Sequence, residues 1–313
     1  MSQIIRAILG DIQSDQLGVT YMHEHLIIDS EIVAKDFPHI HLPSENDAIA
    51  EVNLCKAAGV RTMLDCMPNK SGRSAVKLAA ISKATGVNII ATTGLHHDRY
   101  YSQSDPIEKL SAEALAQVFI ADVESGMEGT QFKSGMIKMV TSGPRIKDRE
   151  KRLFEAVAIA QHQTGAPVIS HCEHGTGALE QIKLINALKI PIHKVTLSHT
   201  DKENDLGYHK EILSSGINVE YDQSLRQSEE AEPASAKLMK AMIDEGFIDQ
   251  IMLGTDGARR TLWSSLGGSP GLAWLYSGWS KKLIQSGLTQ GQLDKIFIDN
   301  PARTLTLDGQ GSR

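Results

Sequence analysis

GMIKMVTSGPRIKDREKRLFEAVAIAQHQTGAPVISH, residues 135–171, reads as strand, helix and strand in one unbroken stretch. Residues 135–140 and 167–171 are short apolar runs, the length of buried strands. Between them, in 149–164, apolar side chains such as Leu153, Val157 and Ala160 recur at four- and three-residue spacing, as on one face of a helix. Gly165 follows, where a left-handed residue ends a helix. A helix joining two strands this way makes them parallel neighbours.

The same rhythm extends in both directions. Strand-like runs occupy 20–25, 62–65 and 88–94 before this stretch, and 194–199, 218–222 and 251–256 after it. Helix-like segments fill 47–58, 75–85, 110–125 and 234–245, and Gly59, Gly86, Gly126, Gly216 and Gly246 each follow a helix-like segment. Eight strand–helix units are what a closed α/β TIM barrel, a (β/α)8 fold, requires, and a barrel of this length is a single domain over 1–313. The rival is an open doubly wound sheet, but no G-x-G-x-x-G follows the first strand. The Gly-rich segment 266–272 reads as a long loop after strand eight, and Asn300-Pro301-Ala302-Arg303 as the end of the last helix.

With 41% hydrophobic and 22% charged residues there is material for a large core and no sign of disorder. No apolar run approaches the ~18 residues of a membrane span, and the opening MSQIIRAILGDIQSD lacks the parts of a signal peptide. Cys55, Cys66 and Cys172 have no paired spacing, so a cytoplasmic location is expected. A net charge of −6 offers no global basic field for nucleic acid or an anionic membrane, which leaves a small-molecule substrate as the expected partner.

The ends of the strand-like runs carry the chemistry, where barrel enzymes place their sites. His23 and His25 are two apart on the first run, so both imidazoles face one side and Glu24 faces the other. His39 and His41 share the spacing but lie between Pro38 and Pro43, outside any run, and read as loop. Lys138 is a cation among apolar neighbours. Either it snorkels to solvent or pairs with a carboxylate, or its neutral amine takes up CO2 to form a carbamate able to bridge two metals. His171, His199 and Asp256 each close a run. One such histidine is ordinarily a hydrogen-bonded structural group. Four on three strand ends are harder to dismiss that way, because burying several imidazoles together is favourable mainly when a cation binds them, and an Asp ending an apolar strand needs a partner or caps the next segment. His174 stays outside this ligand set.

Together these residues resemble the phosphotriesterase-like branch of the amidohydrolase superfamily. The likeness runs through Leu17-Gly18-Val19-Thr20 before His23-Glu24-His25-Leu26, residues 135–140, Ser170-His171, Ser198-His199, Leu253-Gly254-Thr255-Asp256 and Asn300-Pro301-Ala302-Arg303. It implies a hydrolase with two divalent metals, zinc first and manganese or cobalt next. His23, His25 and Asp256 would hold the more buried ion and His171 and His199 the other. Lys138, as a carbamate, would bridge both together with a hydroxide, and Asp256 would be the catalytic proton shuttle. Some relatives bridge with glutamate at this strand, so lysine points to the carbamate-using subset.

Substrate choice belongs to the loops. Relatives acting on acylated homoserine lactones carry tyrosine after strand three and arginine directly after the aspartate of strand seven. This chain has Thr93-Gly94-Leu95-His96 and Asp222-Gln223 instead. Arg226, Arg259 and Arg260 offer guanidinium forks for a phosphate or carboxylate, the alternative being solvation or pairing with Glu229 and Glu230. The segments 256–260 and 266–272 resemble the loop of relatives that open phosphorylated sugar lactones. The expectation is a lactonase for a small polar sugar or phosphosugar lactone, with His96, Gln223, Arg226, Arg259 and Arg260 as substrate contacts. The alternatives are a phosphotriesterase, carboxylesterase or N-acyl amide hydrolase on the same site, and more remotely a non-catalytic metal-dependent binding protein. Relatives are often dimers, so Trp263, Trp274 and Trp279 are open to an interface in a homodimer or to core packing.

Overall fold

A computed structural model describes residues 4–307, so the ends of the expected 1–313 unit lie outside the described residues. Eight strands run parallel in chain order: β3 (Thr20–Glu24), β4 (Thr62–Asp65), β5 (Asn88–Gly94), β6 (Met136–Thr141), β7 (Val168–Cys172), β8 (Val195–Ser198), β9 (Asn218–Tyr221) and β10 (Ile251–Leu253). The sheet closes on itself where the amides of Thr255 and Asp256 donate to the carbonyl of His23, at 3.1 and 3.0 Å. This is the (β/α)8 barrel that the rhythm of runs implies.

Two apolar layers hold it. One packs the outer faces of the strands against the surrounding helices, with Tyr21, Met63, Ile89, Ile137, Val168 and Leu197 among its members. The other lies inside, where Met22, Leu64, Ile90, Met136, Ile169 and Met252 meet. Above that plug the inward positions turn polar. Lys138 and His171 come two residues after Met136 and Ile169, as the period of a strand requires. The first barrel strand breaks this parity, because β3 pairs with β4 through a register shift between Tyr21 and Glu24. The irregularity lets Met22 face inward and His23 and His25 face inward as well. Glu24 is sent out of the barrel, yet it stays buried, accepting from the Thr255 amide at 3.1 Å and from the Thr255 hydroxyl.

The helices Glu45–Ala58, Ala75–Thr85, Ala112–Glu124, Asp148–Thr164 and Ala234–Asp244 fall within two residues of their expected bounds. Serines 44, 74 and 111 cap the first three by accepting a hydrogen bond from an amide of the first turn. Ser125, rather than Gly126, ends Ala112–Glu124. Asn300-Pro301-Ala302-Arg303 falls in the closing turns of one continuous helical stretch, 290–305, wound as a π-helix over Lys295–Asp299, and the helix ends two residues later at Leu305, close to where the sequence ends it. The segment 266–272 is irregular, as expected of a loop. Trp263 and Trp279 are fully buried and therefore core residues, and Trp274 is half-buried. An antiparallel hairpin, β1 (Ile4–Ala7) with β2 (Gly10–Gln13), was not foreseen; its Ile5 joins Leu17 and Leu305 in the inner layer. No helix among the described residues is long and apolar enough to cross a membrane.

Barrel closure leaves no room beside His23. A Cβ on Gly254 would stand 2.6 Å from the His23 nitrogen and 2.5 Å from Glu220 Oε1. Backbone cannot step aside cheaply, so Gly254→Ala is expected to cost about 1–3 kcal/mol or more, the usual range for overpacking. Denaturant unfolding of the two proteins checks this; equal midpoints would show that the seam between β10 and β3 yields freely.

Candidate metal centre

Five of the six candidate ligands, His23, His25, His171, His199 and Asp256, line one cavity at the C-terminal ends of the strands, and Lys138 lies deeper, within β6. His23 and His25 follow the shifted part of β3, and Asp256 comes after β10 with φ 44°, a left-handed conformation uncommon outside glycine. His199, directly after β8, is also left-handed at φ 67°. Both residues leave their strands on a sharp turn, the kind of local strain that collects at functional sites.

His23, His25 and Asp256 form one group whose ligand atoms lie within 4.8 Å of one another. Asp256 Oδ1 is 3.4 Å from His25 Nε2 and 3.9 Å from His23 Nε2. His23 is anchored from behind: Nδ1 is 3.1 Å from Ser198 Oγ and 3.4 Å from Glu220 Oε2. That leaves His23 Nε2 buried with no hydrogen-bond partner, a donor atom aimed at nothing but the space beside Asp256. Such an orphan costs free energy unless something binds it, so the residues fit a resident cation.

His171 and His199 stand with ring centroids 4.4 Å apart, and His199 is 4.8 Å from His23. His199 Nδ1 is bonded to the Asp222 carboxylate and His171 Nε2 to Glu173 Oε2 at 2.6 Å. Each imidazole thus has one nitrogen tied to a side-chain oxygen and one nitrogen left, the arrangement of metal-binding histidines. Burial, then the neighbouring His199, holds both His23 and His171 well below the ordinary histidine pKa, so both are neutral and able to ligate.

Lys138 is buried beneath them, and its Nζ donates to the Cys66 carbonyl at 2.9 Å. Its charge is felt by His23, His96 and His171. Burial pulls its own pKa down, which favours the neutral amine. The snorkelling alternative fails, because Lys138 is 1% exposed. No carboxylate pairs with it among the described residues. Gly94 permits the close approach of β5, since a Cβ there would stand 2.0 Å from the Lys138 carbonyl oxygen.

Asp256 has a second partner. Arg226 Nη2 is 2.9 Å from Asp256 Oδ2, and the same guanidinium donates to the carbonyls of Asp222, Thr255 and Asp256. Burial pushes the Asp256 carboxyl up, but Arg226 and then His199 outweigh it and hold the group well below the usual carboxylate range. Arg226 therefore lines the site as a clamp on Asp256, not as a partner of Glu229 or Glu230.

A cavity of about 360 Å³ opens onto these groups. Of the expected substrate contacts, His96, Gln223, Arg226 and Arg259 line it. Arg260 does not: a 3₁₀ turn starts there, and its Nη1 donates outside the cavity to the His41 carbonyl at 3.0 Å. His39 and His41 are loop residues, as read, although His39 reaches the cavity wall. Sequence reasoning missed Arg99, Tyr100, Glu173 and Lys202, which also line it. It missed His97 as well, which forms another group with His171 and Glu173. Only Glu173 carried a signal, standing two residues beyond His171 and so on the same side of an extended chain.

Known proteins share this architecture. The model of the phosphotriesterase family matches residues 3–305. The phosphotriesterase homology protein of Escherichia coli is 29% identical over 290 residues, covering 92% of this chain and 98% of that protein. A phospho-furanose lactonase of Mycoplasmopsis synoviae is 26% identical over 327 residues, covering 98% and 93%. The crystal structure of a lactonase from Listeria monocytogenes superposes with a TM-score of 0.93 at 30% identity, covering 98% of this chain and all of the other.

Proposed function

The chain belongs to the phosphotriesterase family, whose members are hydrolases, and we propose that it opens a small anionic lactone, with a phosphorylated sugar lactone as substrate class. One observation carries this reading: the cavity that reaches the histidine and aspartate groups is also walled by Lys202 and Arg259. Lys202 is 3.9 Å from Asp256 Oδ2, and the Arg259 guanidinium has no hydrogen-bond or ion-pair partner among the described residues. A guanidinium at a barrel mouth with its donors free suits a phosphate, which it can grip with two parallel bonds. The relative whose name specifies a phospho-furanose lactone supports the same chemistry.

His23, His25 and Asp256 would hold one divalent ion and His171 and His199 a second, with Lys138 between them as a carbamate. When bound, such a pair acidifies water and polarises the scissile carbonyl as a Lewis acid. The remaining work falls to the chain. Lys202 and Arg259 bind the anionic end of the substrate and so fix which face of the ring meets the site. Gln223, donating to the Asp222 carboxylate, and His96 close the wall on either side. Asp256, ionised and clamped by Arg226, accepts a proton from the attacking water and passes it to the ring oxygen. The new C–O bond forms at the carbonyl carbon as the ring C–O bond breaks, which leaves a hydroxy acid.

A substrate panel on the zinc-reconstituted protein tests this: phosphorylated and unsubstituted sugar lactones, a carboxylate ester, a phosphotriester and an N-acyl amide. The phosphorylated lactone is expected to have the highest kcat/KM. Arg259→Ala is expected to raise KM for that substrate about tenfold or more, the loss of a charge-assisted bond worth ~1.5–3 kcal/mol, and to leave the unsubstituted lactone unchanged. Equal effects on both substrates would remove the phosphate from the reading. Turnover of the amide or the triester above every lactone would replace the reaction class.

A further inference from the structure

We propose that Glu173 is a positioning residue that holds His171 by Nε2 and thereby sets the affinity of the second, more exposed metal position; this rests on the two-metal reading above. Glu173 follows β7 in the short turn Glu173–Gly175. The chain doubles back there through His174, at φ 55°, and Gly175, whose Cβ would press within 2.8 Å of the Glu203 nitrogen. The fold brings the carboxylate back over His171, with Oε2 2.6 Å from Nε2.

Both oxygens of Glu173 are engaged. Oε1 accepts from Arg99 Nη2 at 2.8 Å, and Oε2 also lies 3.5 Å from His97 Nε2. The carboxylate is thus fixed from a second loop, the one after β5. With Nε2 bonded to Glu173, Nδ1 is the His171 nitrogen without a hydrogen-bond partner among the described residues. Across from it, His199 has the opposite arrangement, Nδ1 tied to Asp222 and Nε2 left. The two carboxylates select different nitrogens on two rings 4.4 Å apart, and so select the pair of donors that can share one ion.

His97, His171 and Glu173 could instead be read as a cation site of their own, since their ligand atoms lie within 4.8 Å of one another. Arg99 argues against it. Its guanidinium already occupies Glu173 Oε1, and a divalent ion there would meet a fixed positive charge at close range. A carboxylate that fixes the tautomer and orientation of a ligating imidazole, by contrast, typically accounts for 10–100-fold in metal affinity.

The test measures zinc, not turnover. Metal-free wild type, Glu173→Gln, Glu173→Ala and Arg99→Ala are titrated against a chromophoric chelator, and bound zinc per chain is counted by elemental analysis. Wild type is expected to bind two ions. Glu173→Ala should keep the tighter one and weaken the second by about 10–100-fold. Glu173→Gln, whose amide oxygen can still accept from Nε2–H, should lose less, and Arg99→Ala should fall between it and wild type. In parallel, the nitrogen NMR shifts of His171 should show a single tautomer in wild type and a mixture in Glu173→Ala. If Glu173→Ala fails to fold, the isosteric glutamine variant and Arg99→Ala carry the same comparison. Unchanged affinity at both positions overturns the proposal. So does a third zinc in wild type that disappears with Glu173. A protein that binds two ions in this pattern yet opens no lactone would instead refute the proposed function and leave the role of Glu173 standing.

Discussion

Asp256→Asn is expected to lower kcat on the lactone by about 10²–10⁴-fold, the usual contribution of a positioned acid–base group. The substitution is chosen for what it spares. Asp256 sits at φ 44°, and asparagine is among the few residues that tolerate left-handed backbone, so the turn after β10 should persist. The amide keeps the shape and one acceptor oxygen but loses the negative charge. It cannot accept a proton from water at neutral pH, and it leaves the Arg226 guanidinium, 2.9 Å away, without its anionic partner. Arg226 and His199 keep Asp256 ionised, the form that can accept a proton. Because Asp256 Oδ1 also stands 3.4 Å from His25 Nε2, the variant should bind the His23–His25 ion more weakly, and kcat must be compared at full zinc loading. A fully loaded Asp256→Asn enzyme within a few-fold of wild type would take the proton-carrying role away from this residue. A loss confined to zinc affinity would leave it a ligand only.

The barrel was readable because its strands are short apolar runs and its helices carry apolar residues at helical spacing; both patterns arise from burying one face against the other layer. The candidate ligands were readable for the same reason, since each polar residue closing a run such as 194–199 or 251–256 stands out against its neighbours. The hairpin β1–β2 went unseen because most of β2 is exposed and supplies no apolar run. Loop residues were the harder part. Arg259 and Arg260 are adjacent and chemically alike, yet a turn beginning at the second sends it to the His41 carbonyl and leaves the first at the cavity. Lys202 lies three residues past His199, and only the left-handed turn at His199 and the 3₁₀ turn Thr200–Lys202 bring it back to the site. No periodicity encodes such reversals. Arg226 shows a further limit: spacing marked it as a cation near the mouth but could not tell that its partner is Asp256 instead of the nearby Glu229 and Glu230.

Lys138 is the residue on which the second large effect depends. It is fully buried, its Nζ bonds only the Cys66 carbonyl among the described residues, and burial favours its uncharged form. An uncharged amine near the neutral imidazoles of His23, His96 and His171 is a nucleophile for CO2: the nitrogen lone pair forms a bond to carbon, one N–H proton leaves to solvent, and a carbamate anion results. That anion would supply negative charge that two neighbouring cations need. Metal-free protein given two equivalents of zinc in CO2-free buffer is therefore expected to stay largely inactive and under-loaded, and bicarbonate should restore both loading and turnover. Lys138→Ala should lose turnover almost entirely and stay insensitive to bicarbonate. Lys138→Glu brings a carboxylate of its own, so whatever loading it reaches should not depend on bicarbonate at all. Isotopically labelled bicarbonate should place its carbon on the wild-type protein and on neither variant. Full zinc loading and full turnover of wild type without CO2 would eliminate the carbamate, and the burial of Lys138 would then have to be explained by its single bond to Cys66.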